Sequence, residues 1–131
     1  MDRARELMRN ARTIAVVGVT TRRDRPANDI AAYLIDHGFT VYLVNPDEVG
    51  EELLGHHIYE SVQSLPEPVD IVDVFRRPEA VPPVVADAIA AGAKAVWMQI
   101  GIVNEEAAAH AREAGLEVVM DRCTKVEHAR L

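Results

Sequence analysis

Between an apolar run, Thr13 to Val17, and a helical pattern, Ile30 to His37, the chain carries Gly18-Val19-Thr20-Thr21-Arg22-Arg23-Asp24-Arg25-Pro26-Ala27-Asn28. A strand that turns through glycine and hydroxyls into a helix start gathers backbone amides at the positive end of a helix dipole. Arg22, Arg23 and Arg25 add guanidinium forks to the same place. That combination suits a phosphate group. The competing account of these arginines is a solvated surface loop.

The charge distribution favours the first account. Residues 1–25 hold seven Arg against three acids, whereas residues 26–131 hold seven basic residues against 18 acidic ones, for a whole-chain charge of −7. A nucleic-acid backbone needs a basic face or stripe, which an acidic chain does not offer. One basic pocket in an acidic body fits a small phosphorylated ligand instead.

Other nucleotide signatures are missing. A G-x-G-x-x-G turn would need further glycines where Thr20 and Arg23 stand, and the second apolar run ends in Asn45-Pro46 rather than an acid for a ribose hydroxyl. A nicotinamide cofactor is therefore disfavoured. No G-x-x-x-x-G-K-[ST] occurs anywhere, which excludes a P-loop. Asn45 itself is open to two roles, a turn residue before Pro46 or a contact to base or ribose.

A second group of reactive types lies in Asp121-Arg122-Cys123-Thr124-Lys125-Val126-Glu127-His128. Cys123 as a nucleophile would need a base such as His128 within hydrogen-bond reach and a depressed thiol pKa; as a small packing residue it needs neither. His37, His56, His57 and His110 show no metal-ligand spacing with cysteine or carboxylates, and no metal site is expected. Asp70 and Asp73 read either as site carboxylates or as residues at sheet termini, and Trp97 as core.

The elements that must position these residues follow from hydrophobic period. A helix is expected over Arg3 to Ala11, then strands at Thr13 to Gly18, Thr40 to Asn45, Val69 to Phe75, Ala95 to Gln99 and Leu116 to Met120. Helical patterns lie between most of them. One places Ile30, Ala31, Leu34 and Ile35 on a face and stops at Gly38. Another carries Val81, Val84, Val85, Ala88 and Ile89 and stops at Gly92, its start delayed by Pro82 and Pro83. The last is capped by Asn104 and ends at Gly115. Asp47 to Pro68 reads as an irregular acidic segment. Near-continuous apolar strands alternating with helices predict an α/β, Rossmann-like, doubly wound fold, a five-stranded mainly parallel sheet with helices on both faces. Its ligand crevice is expected beyond the C-terminal strand ends, at Gly18-Val19-Thr20, Val44-Asn45-Pro46, Phe75-Arg76-Arg77 and Gln99-Ile100-Gly101.

The ordered set Gly-Val-Thr at 18–20, Arg-Pro at 25–26, Val-Asn-Pro at 44–46, Asp-Val-Phe-Arg-Arg-Pro at 73–78, Trp-Met-Gln at 97–99 and Asp-Arg-Cys at 121–123 resembles the small single-domain CoA-binding proteins. These are similar to the N-terminal CoA-binding domain of the succinyl-CoA synthetase α-subunit. The resemblance implies that Gly18, Thr20, Thr21, Arg22 and Arg23 surround the phosphates of coenzyme A or an acyl-CoA, with Val19, Arg25 and Pro26 completing the turn. It further implies that Asn45 and Pro46 meet the adenosine and that Phe75, Arg76 and Gln99 form the opposite wall. Ala27 stands where these proteins often carry Ser, and the synthetase's additional loop glycines are missing. The synthetase's ligase domain has no counterpart in this sequence.

Two classes of function follow, a non-catalytic CoA-binding module and an enzyme acting on a CoA thioester or another nucleotide-containing metabolite. The first is the expectation. A length of 131 residues gives one domain, 1–131, with a hydrophobic core of its own. Cys123 alone allows no internal disulfide, and Met1 to Ala11 is charged and helical rather than a secretory signal. No apolar run reaches transmembrane length. The cytoplasm is the expected compartment, with no membrane or nucleic-acid partner.

Overall fold

The computed structural model describes residues 2–131. The chain opens with helix α1 (Arg3–Asn10), whose first turn is capped by the Asp2 carboxylate accepting from the Ala4 amide at 2.8 Å. It continues through β1 (Thr13–Val17), α2 (Pro26–Asp36), β2 (Thr40–Val44), β3 (Glu52–Leu53) and β4 (His56–Tyr59). The second half runs β5 (Ile71–Val74), α3 (Val81–Ala90), β6 (Ala95–Met98), α4 (Glu105–Glu113), β7 (Glu117–Val119) and α5 (Thr124–Ala129).

All seven strands join one sheet in the order β3-β4-β2-β1-β5-β6-β7. Every pairing is parallel except β3 with β4. From β1 the chain builds outward through β2 and β4, then returns to lay β5 on the other side of β1. The crossovers to either side of β1 diverge there, opening a crevice at the C-terminal ends of β1 and β5.

Alternation along the strands divides the core. Ile14, Val16, Leu43, Ile71 and Trp97 face one layer, where they pack with Ala4 and Met8 of α1 and Ile30, Ala31 and Leu34 of α2. Ala15, Val17, Val72, Val74, Val96 and Met98 face the other, against Val81, Val85 and Ala88 of α3 and Ala107, Ala108 and Ala111 of α4. Strands buried on both faces read as continuous apolar runs, and each fully buried Val or Ile side chain contributes about 1.5–3 kcal/mol. Trp97, fully buried, also satisfies its indole N–H by donating to the Arg122 carbonyl at 2.7 Å.

The expectation of five strands is corrected to seven. The two extra ones, β3 and β4, lie in the stretch read as irregular. They are short and carry Glu52, His56 and His57, so nothing in their composition marks a strand. Pairing makes them one: Leu43 and Val44 of β2 align with Ile58 and Tyr59, and the β3–β4 hairpin closes the edge. The prolines of α3 do not delay its start. Pro82 and Pro83 occupy its first turn, where an amide has no intrahelical partner to lose, and a short 3-10 turn (Pro78–Ala80) leads in.

Helix α5 is a further addition at the C-terminus. Thr124 ties its start to β5 by donating its hydroxyl to Asp73 at 2.8 Å, and buried Glu127 accepts from Arg122 at 2.9 Å and Arg5 at 3.2 Å. The two guanidinium groups and that of Arg130 hold the Glu127 carboxyl below its ordinary pKa, although burial pushes it up.

Candidate functional site

At the end of β1 the chain must pass close under the end of β5. Gly18 donates its amide to the Val44 carbonyl at 3.0 Å, and Phe75 donates to Val17 at 2.8 Å, so three strand ends meet at this point. The turn beyond Gly18 is held from α2. The Asn28 side chain accepts from the Thr20 amide at 3.1 Å and donates to the Thr20 carbonyl at 2.8 Å, bracketing that peptide.

Pro26 starts α2, and its N-cap, Arg25, makes no side-chain capping bond. In α1 and α4 the corresponding amides are satisfied by Asp2 and Asn104. At the α2 start Pro26 offers no N–H, and Asn28 donates its amide to the Arg25 carbonyl at 3.0 Å. Arg22, Arg23, Arg25 and Pro26 are all exposed. The side chain of Val19 belongs to the core, where it is fully buried, so only its backbone faces the turn.

The end of β2 supplies the other half. Asn45 is buried; its amide nitrogen donates to the Val19 carbonyl at 2.8 Å and to Glu48 at 3.2 Å, while its oxygen accepts from the Asp47 amide at 2.9 Å. The side chain therefore shapes a 3-10 turn (Pro46–Glu48) and pins it to the Gly18 segment. Glu48, also buried, accepts from the amide of Thr21 at 2.8 Å and from its hydroxyl at 2.5 Å. Burial works to raise the Glu48 pKa, yet hydrogen bonds from Thr20 and Thr21 and the charge of Arg22 leave it below the ordinary value.

A cleft of about 530 Å³ opens beside this turn. Val17, Val44 and Pro46 form its floor at the ends of β1 and β2, Arg76 stands at the end of β5, and Val62 and Val84 supply apolar walls. Of the residues singled out by sequence, Pro46 and Arg76 line it. Gly18 and Phe75 meet each other at the ends of β1 and β5, and neither they nor Arg22, Arg23 and Arg25 line the cleft.

Gln99 sits apart in a buried network. Its amide donates to Asp73 at 2.7 Å and to Thr124 at 3.0 Å, so the ends of β5 and β6 are locked to the start of α5. Asp73 is wholly buried with no cation beside it among these partners, and burial pushes its pKa up to about 7 despite both hydrogen bonds. Asp70 lies at the opposite end of the sheet, accepting from the amides of Arg12 at 2.8 Å and Thr13 at 3.2 Å. It is a cap, distant from the crevice.

The residues near the C-terminus separate as well. Cys123 is the half-buried N-cap of α5, packed against the core. The Nδ1 of His128 lies 2.8 Å from the Tyr33 hydroxyl, and its ring packs edge-on against His37 and Phe39. Among the described residues no group of three or more His, Cys, Asp or Glu is arranged to hold a metal ion.

Sequence reasoning missed Glu48, and with it the fact that the Thr21 donors already have an acceptor. It also missed the wall built by Val62 and Val84. Glu48 sits in an acidic stretch where no pattern distinguishes it from Asp47 or Glu51, while the wall joins Val62 of a short 3-10 turn to Val84 of α3, which only the fold brings to one cleft.

A mostly parallel sheet with helices on both faces, a glycine turn after β1 and a cleft at the crossover point defines a Rossmann-like α/β fold. The chain belongs to the CoA binding domain family, which it matches over residues 12–129. It is similar to the protein YneT of Bacillus subtilis (strain 168), with 38% identity over 125 residues, covering 95% of this chain and 91% of YneT. Among solved structures, a hypothetical protein from Pyrococcus horikoshii OT3 superimposes with a TM-score of 0.92 at 42% identity, over 98% of this chain and 89% of that chain. A longer neighbour is the apo form of the dinucleotide forming acetyl-coenzyme A synthetase 1 of Ca. Korarchaeum cryptofilum, with a TM-score of 0.71 at 26% identity. That match covers 82% of this chain and only 25% of the synthetase.

Proposed function

We propose that this chain binds coenzyme A or an acyl-CoA across the C-terminal ends of its parallel strands and performs no chemistry on it. The observation that carries this reading is the cleft at the ends of β1, β2 and β5, in a chain of the CoA binding domain family. The adenine would lie against Pro46 and the valines of the cleft, beside Asn45. The phosphates would meet Arg22, Arg23 and Arg25 and the uncapped start of α2, with Gly18, Val19, Thr20, Thr21 and Pro26 shaping the turn and Arg76 closing from β5. Phe75 and Gln99 would support the wall on that side. In this reading the whole chain is one binding unit working in the cytoplasm, with no nucleic-acid or membrane partner; no helix among the described residues is long and apolar enough to cross a membrane.

The rival is thiol chemistry at Cys123 with His128 as its base; against it stands the Nδ1 of His128, which lies 2.8 Å from the Tyr33 hydroxyl. The deciding experiment is thermal unfolding with CoA and with NAD at equal concentration. A ligand bound only by the native state at about a hundred times its Kd adds about 2.7 kcal/mol. CoA is expected to raise the midpoint while NAD leaves it in place. Equal shifts, or none with saturating CoA, would defeat the proposal.

A further inference from the structure

Anion-binding turns work because several donors converge on one point and no other acceptor satisfies them. Here the point is already taken. The carboxylate of Glu48 receives the amide of Thr21 at 2.8 Å, the hydroxyl of Thr21 at 2.5 Å and the side-chain amide of Asn45 at 3.2 Å. The Thr20 hydroxyl and the Arg22 charge also favour its ionised form. These donors come from the segment between β1 and α2 and from the end of β2, the elements that frame the proposed phosphate position. Glu48 is only 5% exposed, so the group is a buried anion rather than a surface acid that happens to be near.

A buried carboxylate and an incoming phosphate cannot share this place. They compete for the same hydrogen bonds, and two negative groups brought together repel. Resting on the reading that the turn receives CoA phosphates, we propose that Glu48 is an internal competitor for the anion position, displaced when a phosphate binds. Its carboxylate keeps the turn formed in the empty protein. It also sets a threshold, because a ligand must bring more negative charge and more acceptor oxygens than one carboxylate to take the donors away. A diphosphate does so; a ligand with a lone carboxylate does not. Glu48 is then a determinant of specificity for the diphosphate end of the ligand, acting through what it withholds. Asn45 need not move with it, since its bonds to Val19 and Asp47 remain.

The sign of one substitution separates this role from that of a structural staple. A staple lost loosens the turn and weakens binding, whereas a competitor lost strengthens it. Glu48→Gln keeps the shape and an acceptor oxygen but removes the charge. Calorimetric titration of wild type and Glu48→Gln with CoA, and separately with inorganic pyrophosphate, is expected to show both ligands held about tenfold tighter by the variant. The melting point of the unliganded variant should be lower than that of wild type.

Should the variant fail to fold, wild-type protein answers the question through the carboxyl 13C resonance of Glu48. Its titration midpoint should move upward toward the ordinary glutamate value on saturation with CoA. Equal or weaker binding by a folded variant, or a Glu48 resonance unaffected by bound CoA, would overturn the competitor role while leaving CoA binding in place. If neither form binds CoA or pyrophosphate, both readings fall together.

Discussion

Gly18 and Phe75 approach so closely that a β-carbon on Gly18 would stand 2.3 Å from the Phe75 carbonyl oxygen. Gly18 also has a φ of +114°, a region that side chains strain against. Two independent constraints thus act on one residue, at the point where β1 and β5 end and the proposed ligand turn begins. Gly18→Ala is expected to cost about 2–4 kcal/mol through backbone strain and overpacking. It should also weaken CoA binding, because the turn must move away from Phe75. Urea unfolding and a CoA titration of the same variant check both effects; an unchanged unfolding midpoint would show that the strand ends yield without strain.

Arg22 and Arg23 are exposed and belong to no ion pair among the described residues, so their removal should leave the fold within about 0.5 kcal/mol of wild type. Their effect on the ligand should be large. A charge-assisted hydrogen bond to phosphate contributes about 1.5–3 kcal/mol, and the Arg22→Ala, Arg23→Ala double variant is expected to bind CoA about a hundredfold more weakly. Added salt should erode wild-type affinity more than that of the variant. Unchanged affinity would return these arginines to the role of a solvated loop.

What could be read from the sequence depended on how far each feature relied on its own residues. Strands such as β1 and β5 are apolar on both faces and announce themselves. The turn at Gly18 was legible because glycine, hydroxyls and arginines follow a strand and precede a helix. By contrast, β3 and β4 exist through pairing with β2, and α5 through Thr124 and Glu127, whose partners Asp73 and Arg5 lie far away in the chain. Glu48 was invisible for the same reason: its acidity is local, but its burial and its Thr21 partner are properties of the fold. Gln99 was singled out as a strand-end residue, while its attachment to Asp73 and Thr124 required three elements to be placed at once.

Asp73 gives a pH dependence of unusual sign. Its ordinary pKa is 3.8, and burial, opposed by the bonds from Gln99 and Thr124, pushes it up to about 7. Between those values the native state holds a proton that the unfolded chain has released, so stability falls as pH rises through this window and levels off above it. Asp73→Asn removes the titration, and a reorientated Gln99 amide can complement it. Urea unfolding from about pH 5 to about pH 8 should show wild type losing stability relative to the variant as pH rises. Parallel curves would mean that Asp73 is ionised in the native state throughout.

Cys123 supplies the test of whether the protein does chemistry. The thiol is half-buried at the start of α5 and packs on the core, which suits a small apolar filler. The candidate base, His128, has its Nδ1 2.8 Å from the Tyr33 hydroxyl, and burial and the neighbouring His37 keep its pKa below the ordinary value. An imidazole so placed is neutral at physiological pH and has the protonation state of a base, yet its recorded partners are Tyr33, His37 and Phe39 rather than the thiol. The neighbouring guanidinium of Arg122 is likewise engaged, with Asp2 and Glu127, and is not committed to stabilising a thiolate. Wild-type protein should therefore release no thiol from acetyl-CoA above background, and Cys123→Ser should bind CoA with nearly unchanged affinity, because Cys123 does not line the cleft. Thiol release is followed directly in one assay and affinity in another. Turnover in wild type that vanishes in a folded Cys123→Ser protein would make Cys123 a nucleophile and the protein an enzyme on CoA thioesters.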